Sequence, residues 1–157
     1  LTNKDLKLPE IKAEDLDNLD VTQETAKAVW VPNRNGIFLN IAAGIAETNG
    51  YSFMYVGFNA EEAATFPDNS KDYLDTVNKS LQYSTLSKVE LKAPTIDLVK
   101  TDIIAQLLER DFPLNLIWSC YLDGVKMCGK CESCQRLKRA LKQNNLDEPL
   151  KEYFNAE

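Results

Sequence analysis

Every cysteine of the chain falls in one short stretch, with the spacing Cys120-x7-Cys128-x2-Cys131-x2-Cys134. Two Cys-x-x-Cys steps that share Cys131, with a fourth thiol across a short loop, suit four thiolates around one tetrahedral Zn²⁺. An iron–sulfur cluster uses the same ligands, so the spacing alone leaves it open. Two disulfides or four unrelated buried thiols are further alternatives, although disulfides are typical of secreted chains. A zinc ion with four protein ligands is structural, because no position remains for a reacting water.

Composition limits what else the chain can do. Its 157 residues are 44% hydrophobic and 27% charged, which predicts a globular protein with a real core. The net charge of −6 argues against nucleic acid as a direct partner. No apolar run approaches the ~20 residues of a membrane span, and no leader peptide is recognised, so a cytoplasmic location is expected. The absence of histidine excludes histidine-based triads and histidine metal ligands.

Strands and helices are predicted to alternate after a polar start. Residues 1–27 are acid-rich and predict an extended or loosely ordered arm. Strands are predicted at 28–31, 51–58 and 88–91, because these runs are β-prone and bounded by turn residues. Helices are predicted at 37–47, 71–83, 98–110 and 132–142 from apolar periodicity. The first of these helices is apolar nearly all round, which predicts a buried helix.

Several polar residues at the starts of helices have two possible roles. Asn35 and Asp97 are predicted to cap the helices that follow them, and one residue of 68–70 is predicted to cap the helix at 71. Arg34 is either a surface turn residue or a ligand for anions at a helix N-terminus. The last helix carries four cations that predict a solvated basic face, with ligand or RNA contact as the alternative: Arg136, Lys138, Arg139 and Lys142.

Alternating strands and helices predict an α/β fold with parallel strands and right-handed crossovers. Three strands, two of them short, are few for such a sheet, because about 4–6 strands are typical. We therefore expect the sheet to be incomplete in this chain, with further strands supplied by another segment or another chain.

Five ordered stretches resemble the 7-cyano-7-deazaguanine synthases of the N-type ATP pyrophosphatase (PP-loop) group, over about residues 25–145. They are Trp-Val-Pro-Asn-Arg-Asn-Gly-Ile-Phe-Leu-Asn at 30–40, Val-Gly-Phe-Asn at 56–59, Phe-Pro-Asp-Asn-Ser at 66–70, Ala-Pro-Thr to Lys-Thr-Asp-Ile within 93–103, and Trp-Ser-Cys-Tyr to Cys-Gly-Lys-Cys-Glu-Ser-Cys within 118–134. The resemblance implies a Rossmann-like, adenine nucleotide alpha hydrolase-like fold. Residues 28–113 would be the C-terminal part of the nucleotide-binding domain, and residues 114–157 a zinc motif, a helix and a peripheral acidic tail.

The resemblance implies an ATP-dependent ligase that converts 7-carboxy-7-deazaguanine and ammonia to 7-cyano-7-deazaguanine (preQ0), for queuosine or archaeosine in tRNA. The implied cofactors are a structural Zn²⁺, with ATP and Mg²⁺ for the reaction. A carboxylate is inert to ammonia until a leaving group is attached, so ATP would activate it as an adenylate. Catalysis would then consist mainly of positioning and charge neutralisation, which needs no histidine. The substrate is a free base, so neither nucleic acid nor membrane is an implied partner.

Five residues carry over from the family's site. Arg34 and Asn35 match its Pro-Gly-Arg-Asn turn, in which Asn33 replaces the glycine and still tolerates a left-handed conformation. Asn59 lies in the matching Val-Gly-Phe-Asn stretch and is expected to bind substrate or ATP.

The other two carried-over residues are the implied catalytic pair. Asp68 matches the acid of a Tyr-Pro-Asp-Cys-Arg-like segment near the substrate, although Asn69 and Ser70 depart from its Cys-Arg. Lys100 matches a lysine at a helix start, where a cation beside phosphates is expected.

The family's Ser-Gly-Gly-x-Asp-Ser pyrophosphate loop, whose backbone amides cradle the ATP phosphates, has no match in residues 1–157. We therefore expect an N-terminal segment carrying this loop, a homodimer, or both as partners, and expect the chain alone to be inactive. The alternatives are a non-catalytic zinc-stabilised binding or assembly module, and a related ATP pyrophosphatase acting on another substrate.

Overall fold

The computed structural model describes residues 8–147 and 152–155. Its contacts form two compact units, which we call the cysteine unit (Leu1–Trp30 and Lys100–Glu157) and the sheet unit (Val31–Val99). Predictions for residues 1–7, 148–151 and 156–157, at the ends of the arm and in the acidic tail, lie outside the described residues. The domain boundaries drawn from the sequence stay predictions.

Helices and strands alternate over much of the described chain. In chain order they are α1 (Leu19–Val29), α2 (Arg34–Thr48), β1 (Phe53–Tyr55), α3 (Ala60–Ala63), α4 (Lys71–Ser84), β2 (Glu90–Lys92), α5 (Lys100–Leu108) and α6 (Glu132–Gln143), with 3₁₀ turns at Ala13–Asp15, Pro67–Asn69 and Leu114–Leu116. No helix among the described residues is both long enough and apolar enough to cross a membrane.

The sheet unit is built on two parallel strands. Met54 of β1 lies opposite Leu91 of β2, and both side chains are buried. Helix α2 packs on β1 and α4 packs on β2. The predicted strands at 51–58 and 88–91 and their parallel direction are confirmed, although both strands are shorter than predicted.

One edge of β2 is closed by a side chain. Asn78 of α4 donates from Nδ2 to the Leu91 carbonyl at 2.9 Å and accepts at Oδ1 from the Leu91 N–H at 2.8 Å. The neighbouring residues Glu90 and Lys92 pair with β1, so these bonds lie on the edge turned away from β1. An open strand edge invites pairing with another strand. The Asn78 amide therefore occupies the edge at which a further strand would otherwise add.

Helix α2 is buried on one face only. Leu39, Ala43 and Ala46 face the core. The opposite face holds four large side chains that are 46–63% exposed: Ile37, Phe38, Ile41 and Ile45. The prediction of a buried helix is wrong, because the described chain places a packing layer on only one side of α2. The rest of the sheet unit also leaves apolar surface open, since Phe53 and Tyr55 of β1 are 47% and 68% exposed.

The caps of the later helices are only partly as predicted. Ser70 caps α4, because its Oγ accepts from the Tyr73 N–H at 3.1 Å, which confirms a cap within residues 68–70. Asp97 does not cap α5, because that helix begins at Lys100 rather than at residue 98. Helix α6 has nearly its predicted bounds.

Part of the described arm is extended and part is helical. Glu10 forms an isolated bridge with Cys131, and the backbone at Lys12 is extended. Asn18 caps α1 by accepting at Oδ1 from the Asp20 N–H at 3.1 Å. The buried stripe of α1 consists of Thr22, Thr25 and Ala26, which do not form a strongly apolar pattern. The prediction of an extended or loosely ordered arm is therefore wrong at 19–27, and the predicted strand at 28–31 is wrong, because α1 buries hydroxyl groups that have hydrogen-bond partners.

The cysteine unit has its core around α6. Four buried residues of α6 and its start, Cys134, Leu137, Ala140 and Leu141, pack with Cys131. The same cluster contains Ile104 of α5, Met127 of the cysteine loop and Phe154. Phe154 is 3% exposed, and its backbone forms a bridge with Met127. The prediction of a peripheral tail is therefore wrong at Phe154.

A buried ion pair within α6 is hydrogen-bonded to α1 and to the turn before α1. Arg136 and Glu132 approach to 2.8 Å, with side chains 6% and 15% exposed. Arg136 also donates to the Leu16 carbonyl at 3.3 Å, and Thr25 donates to Glu132 at 2.6 Å. Arg136 is therefore a structural residue and does not belong to the solvated basic face predicted from the sequence.

We expect Arg136→Ala to lower the free energy of unfolding by about 3–5 kcal/mol, because it leaves the Glu132 carboxylate buried without its cation. Arg139→Ala is the matched control on the same helix, since Arg139 pairs at 2.8 Å with Asp17, which is 85% exposed. Its expected cost is below about 1 kcal/mol. Urea unfolding of both variants checks the difference, and equal losses would contradict the structural role of the buried pair.

Candidate functional site

The four cysteine sulfurs form one tight cluster. All four Sγ atoms lie within 4.8 Å of one another, and those of Cys128 and Cys134 are 3.8 Å apart. None forms a disulfide, so the disulfide alternative is wrong. Four sulfurs at about 2.3 Å from one tetrahedral Zn²⁺ would stand about 3.8 Å from each other. These cysteines could therefore hold a metal ion.

Each thiol is placed by a short local structure. Cys131 precedes α6 and Cys134 lies in its first turn, so both face the N-terminus of the helix. Gly129 adopts a φ of 75° and turns the chain between Cys128 and Cys131. Cys120 lies in the loop after the 3₁₀ turn at Leu114–Leu116. The helix N-terminus favours negative charge, which suits thiolates.

Backbone N–H groups also point at the sulfurs. The Cys120 sulfur accepts from the N–H groups of Leu122 and Cys128 at 3.3 and 3.4 Å. The Cys128 sulfur accepts from Lys130 and Cys131 at 3.5 and 3.4 Å. Hydrogen bonds of this kind orient metal ligands and stabilise their charged form.

The thiols ionise unequally when no cation is bound. The hydrogen bond with the Cys134 thiol lowers the pKa of Cys131 to about 5. The same bond, together with burial, raises the pKa of Cys134. Burial also raises the pKa of Cys128. Adjacent thiolates repel each other, so all four can ionise together only when a metal cation balances their charge.

A second group of candidate residues gathers in the sheet unit. Asn35, in the first turn of α2, donates from Nδ2 to the carbonyl of Asp68 at 3.3 Å, across 33 positions of sequence. Burial raises the pKa of the Asp68 carboxyl, while the nearby Arg34 charge and the Asn35 side chain lower it. The structure therefore brings together Arg34, Asn35 and Asp68. The roles predicted for them toward substrate or ATP stay predictions.

The N-terminus of α2 differs from its prediction. The helix begins at Arg34, so its cap position is Asn33 and not Asn35. Asn33 has a φ of 56°, as expected for a left-handed residue in this turn. A Cβ atom at Gly36 would lie 2.0 Å from the Asn33 Oδ1 atom and 3.1 Å from the Tyr73 hydroxyl. The first turn of α2 therefore requires glycine at position 36.

Tyr73 is the residue of this group that the sequence did not single out. Burial raises the pKa of its hydroxyl, and the charge of nearby Asp68 raises it further. Its position on the apolar stripe of α4 identified it only as a packing residue. The sequence signal for a site role was its phenol, which comes soon after the polar residues that precede α4.

Asn59 and Lys100 have different surroundings. Asn59 is buried and caps α3 by accepting at Oδ1 from the Glu62 N–H at 3.0 Å. Lys100 opens α5 in the cysteine unit, where its Nζ donates to the Ser133 hydroxyl at 3.4 Å. Their predicted roles toward substrate or ATP stay predictions.

The fold and the cysteine cluster define an α/β protein with a parallel strand pair and a four-thiol metal-binding candidate. The family model described as "Queuosine biosynthesis protein QueC" matches residues 1–145. The chain therefore belongs to the QueC family, and the Rossmann-like fold class predicted from the sequence is confirmed.

The relatives bear one common name. The chain is 48% identical over 155 residues to the 7-cyano-7-deazaguanine synthase of Methanosarcina mazei, covering 97% of this chain and 67% of that protein. It is 51% identical over 144 residues to the protein of the same name from Bdellovibrio bacteriovorus, covering 92% of this chain and 62% of that protein. The chain thus spans about two-thirds of the length of the curated relatives it matches.

We expect Cys131→Ser to abolish stoichiometric metal binding and to unfold the cysteine unit, because a structural metal contributes directly to the free energy of folding. Metal content by atomic emission, with amide hydrogen exchange of α6, checks this. Ser119→Ala is the control beside the first cysteine, and α4 amides are the internal reference in the sheet unit. Chelation of the unmodified protein should reproduce the loss in α6. Unchanged melting and exchange after metal removal would contradict a structural metal.

Proposed function

We propose that the chain takes part in the conversion of 7-carboxy-7-deazaguanine to 7-cyano-7-deazaguanine with ATP and ammonia, as an ATP-dependent ligase. The proposal rests on the proximity of Arg34, Asn35 and Asp68 in a chain of the QueC family. The names of the relatives support the same substrate. Because the reaction draws on ATP and a free base, we propose that it takes place in the cytoplasm.

The reaction has to overcome the poor reactivity of a carboxylate. Its oxygen would attack the α-phosphorus of ATP and release pyrophosphate, giving an acyl adenylate. Ammonia would then form a C–N bond at the acyl carbon while AMP leaves with the electron pair of the C–O bond and one proton leaves the nitrogen. The amide oxygen would next attack the α-phosphorus of a second ATP and release pyrophosphate. That oxygen then leaves as part of AMP, and the two remaining N–H protons are released. Negative charge develops on phosphate oxygens in these steps, so charge stabilisation is the main requirement.

The residues of the sheet unit suit that requirement. The Arg34 guanidinium lies at the N-terminus of α2, where backbone N–H groups also favour an anion. We propose that Arg34 binds the carboxylate or the phosphate of the reacting groups. Asp68 offers carboxylate oxygens to the N–H groups of a guanine-like base, with Asn35 fixing its backbone. Asn59 would line the same substrate or ATP site.

Lys100 and Mg²⁺ would neutralise phosphate charge. Lys100 is a compact cation at the start of α5. We propose that it contacts ATP phosphates. The Ser133 hydroxyl next to it would hold the ammonium in place when no nucleotide is bound.

The metal is proposed to be zinc. Four cysteine sulfurs complete a tetrahedral ligand set, and the 3.8 Å between the Cys128 and Cys134 sulfurs fits the Zn–S bond length of about 2.3 Å. Cys120, Cys128, Cys131 and Cys134 would hold it. Bound there, Zn²⁺ would supply folding energy and no step of the reaction.

A glycine-rich pyrophosphate loop is proposed as a further part of the active enzyme. Residues 1–157 contain no such loop, and the relatives are longer than this chain. We propose that a segment with this loop, a second copy of the chain, or both pack on the apolar face of α2 and on β1, because large side chains there are exposed. A phosphate loop would supply the backbone amides that ATP needs.

The proposal is tested by following nitrile formation from the carboxy base, ATP and ammonia. The assay uses the protein itself and, in parallel, a chimaera in which the remaining third of the Methanosarcina mazei relative is joined to it. We expect turnover from the chimaera, and a loss of about 10²–10³-fold in kcat for Asp68→Asn or Lys100→Gln, as for other removed charge-stabilising groups.

Asp72→Asn and Lys79→Gln are the matched controls, because both residues are exposed on α4. They should leave turnover within about twofold, as expected for surface changes. Base binding without any ATP-dependent product in the folded chimaera would contradict the proposal and indicate a non-catalytic module. Turnover with a different base only would indicate another substrate.

A further inference from the structure

A deep groove in the cysteine unit lies outside both candidate sites. Its volume is about 890 Å³, and we call it the basic groove. One wall is the segment 10–13, which is tied to the cysteine loop by a hydrogen bond from the Ile11 N–H to the Lys130 carbonyl at 3.1 Å. The other wall is one face of α6, and Gly129 and Lys130 complete the lining.

The groove concentrates positive charge on an acidic protein. The whole chain has 18 Lys and Arg against 24 Asp and Glu. Among the described residues that line the groove, Glu10 is the carboxylate, and the five cations are Lys12, Lys130, Lys138, Arg139 and Lys142. Two further carboxylates pair with lining cations, Glu14 with Lys12 and Asp17 with Arg139, so cations exceed carboxylates by five to three. Lys142 lies three residues after Arg139 and four residues after Lys138, so it is a neighbour of both on one face of α6. Such a local excess favours an anionic ligand.

Lys138 is held in place by the cysteine loop. A Cβ atom at Gly129 would lie 2.9 Å from the Lys138 ammonium, so the glycine leaves the space that this side chain uses. The ammonium also lies 5.3 Å from the centroid of the Phe154 ring. Gln135 secures the same loop by donating to the Gly129 carbonyl at 2.9 Å. The Lys138 ammonium therefore lies against Gly129 and the Phe154 ring at the cysteine loop.

Carboxylates near the groove make exposed ion pairs that a stronger anion can replace. Lys130 lies 3.5 Å from Glu10, with side chains 56% and 71% exposed. Lys12 lies 3.5 Å from Glu14, also at an exposed position. Exposed pairs of this kind contribute about 0–1 kcal/mol, so a ligand with several negative charges can displace them at small cost.

We propose that the basic groove binds a small ligand bearing two or more linked phosphates, with Lys138 and Lys142 on one wall and Lys12 on the other as the contacts. The groove volume lies within the range of about 300–1,000 Å³ for small-molecule sites. A long polyanion such as RNA would extend beyond the groove over a protein of net charge −6, which disfavours it. The site is independent of the proposed turnover and adjoins the cysteine loop.

The test is isothermal titration of the purified, metal-loaded protein with inorganic tripolyphosphate at about 20 mM salt and again at about 200 mM salt, where exposed charges are screened more strongly. We expect saturable binding of one ligand per chain that weakens with salt. Lys138→Gln with Lys142→Gln should raise Kd by about tenfold or more, because both changes remove charge-assisted contacts. A second titration uses CTP to distinguish a nucleotide from free linked phosphates as the ligand. Tighter binding of CTP than of tripolyphosphate indicates a nucleotide, and equal binding indicates that the groove recognises the phosphates alone.

The control is Lys27→Gln with Lys79→Gln, which changes the net charge equally at two exposed positions that do not line the groove. It should change Kd by less than about twofold, because only charge outside the groove lining, screened by salt, is lost. Lys142→Gln alone tests the site even if the double variant loses metal or helical signal, since Lys142 is exposed. The proposal is overturned by absent binding at low salt, by an equal loss in the control, or by RNA binding that tripolyphosphate does not displace.

Discussion

The mutual repulsion of four crowded thiolates is the constraint on which the cysteine unit depends. Cys131 and Cys134 are 1% and 0% exposed and form part of the same core as Leu137 and Leu141. A bound cation would turn that repulsion into attraction and would join the cysteine loop to the start of α6. Glu10 bridges to Cys131, so the segment before α1 is attached to the same loop. Packing around α6 and metal binding would then be one cooperative event. The cysteine loop and this segment also line the basic groove, so the groove would depend on the fold of the loop.

The sheet unit places charged groups near the start of α2. Arg34 and Asp68 there are only partly buried. Asn33 takes the left-handed turn, Gly36 leaves room for it, and the first turn of α2 then presents Arg34 beside Asp68. An arginine and a carboxylate in a half-buried setting can neutralise or orient an anionic substrate without histidine. The exposed side of α2 and the exposed residues of β1 carry several large apolar side chains at the surface. Such a group differs from the single apolar side chains that are common on protein surfaces. We propose that further polypeptide packs against this surface.

Patterns within one short stretch were predictable, and contacts between distant stretches were not. The cysteine spacing, the Ser70 cap and the bounds of α6 followed from local spacing and residue type. The parallel direction of the strands followed from the order of elements, because a helical connection between two strands of one sheet favours parallel pairing. Helix α1 did not, because its buried stripe of Thr22, Thr25 and Ala26 relies on hydroxyl partners such as Glu132 that no local pattern shows. Arg136 resembled a surface cation until the fold placed it against Leu16 and Glu132. The apolar residues of α2 matched a buried helix, but burial depends on what packs around a helix and not on its sequence alone.

The central claim is that one zinc ion sits among Cys120, Cys128, Cys131 and Cys134. X-ray absorption of the purified protein at the zinc edge tests it most directly, because the spectrum reports the identity, number and distance of the ligands. The claim predicts a single shell of four sulfurs at about 2.3 Å, with no oxygen or nitrogen in the shell. An iron edge with a short iron–iron distance, a shell that mixes sulfur with oxygen, or no stoichiometric metal would contradict it.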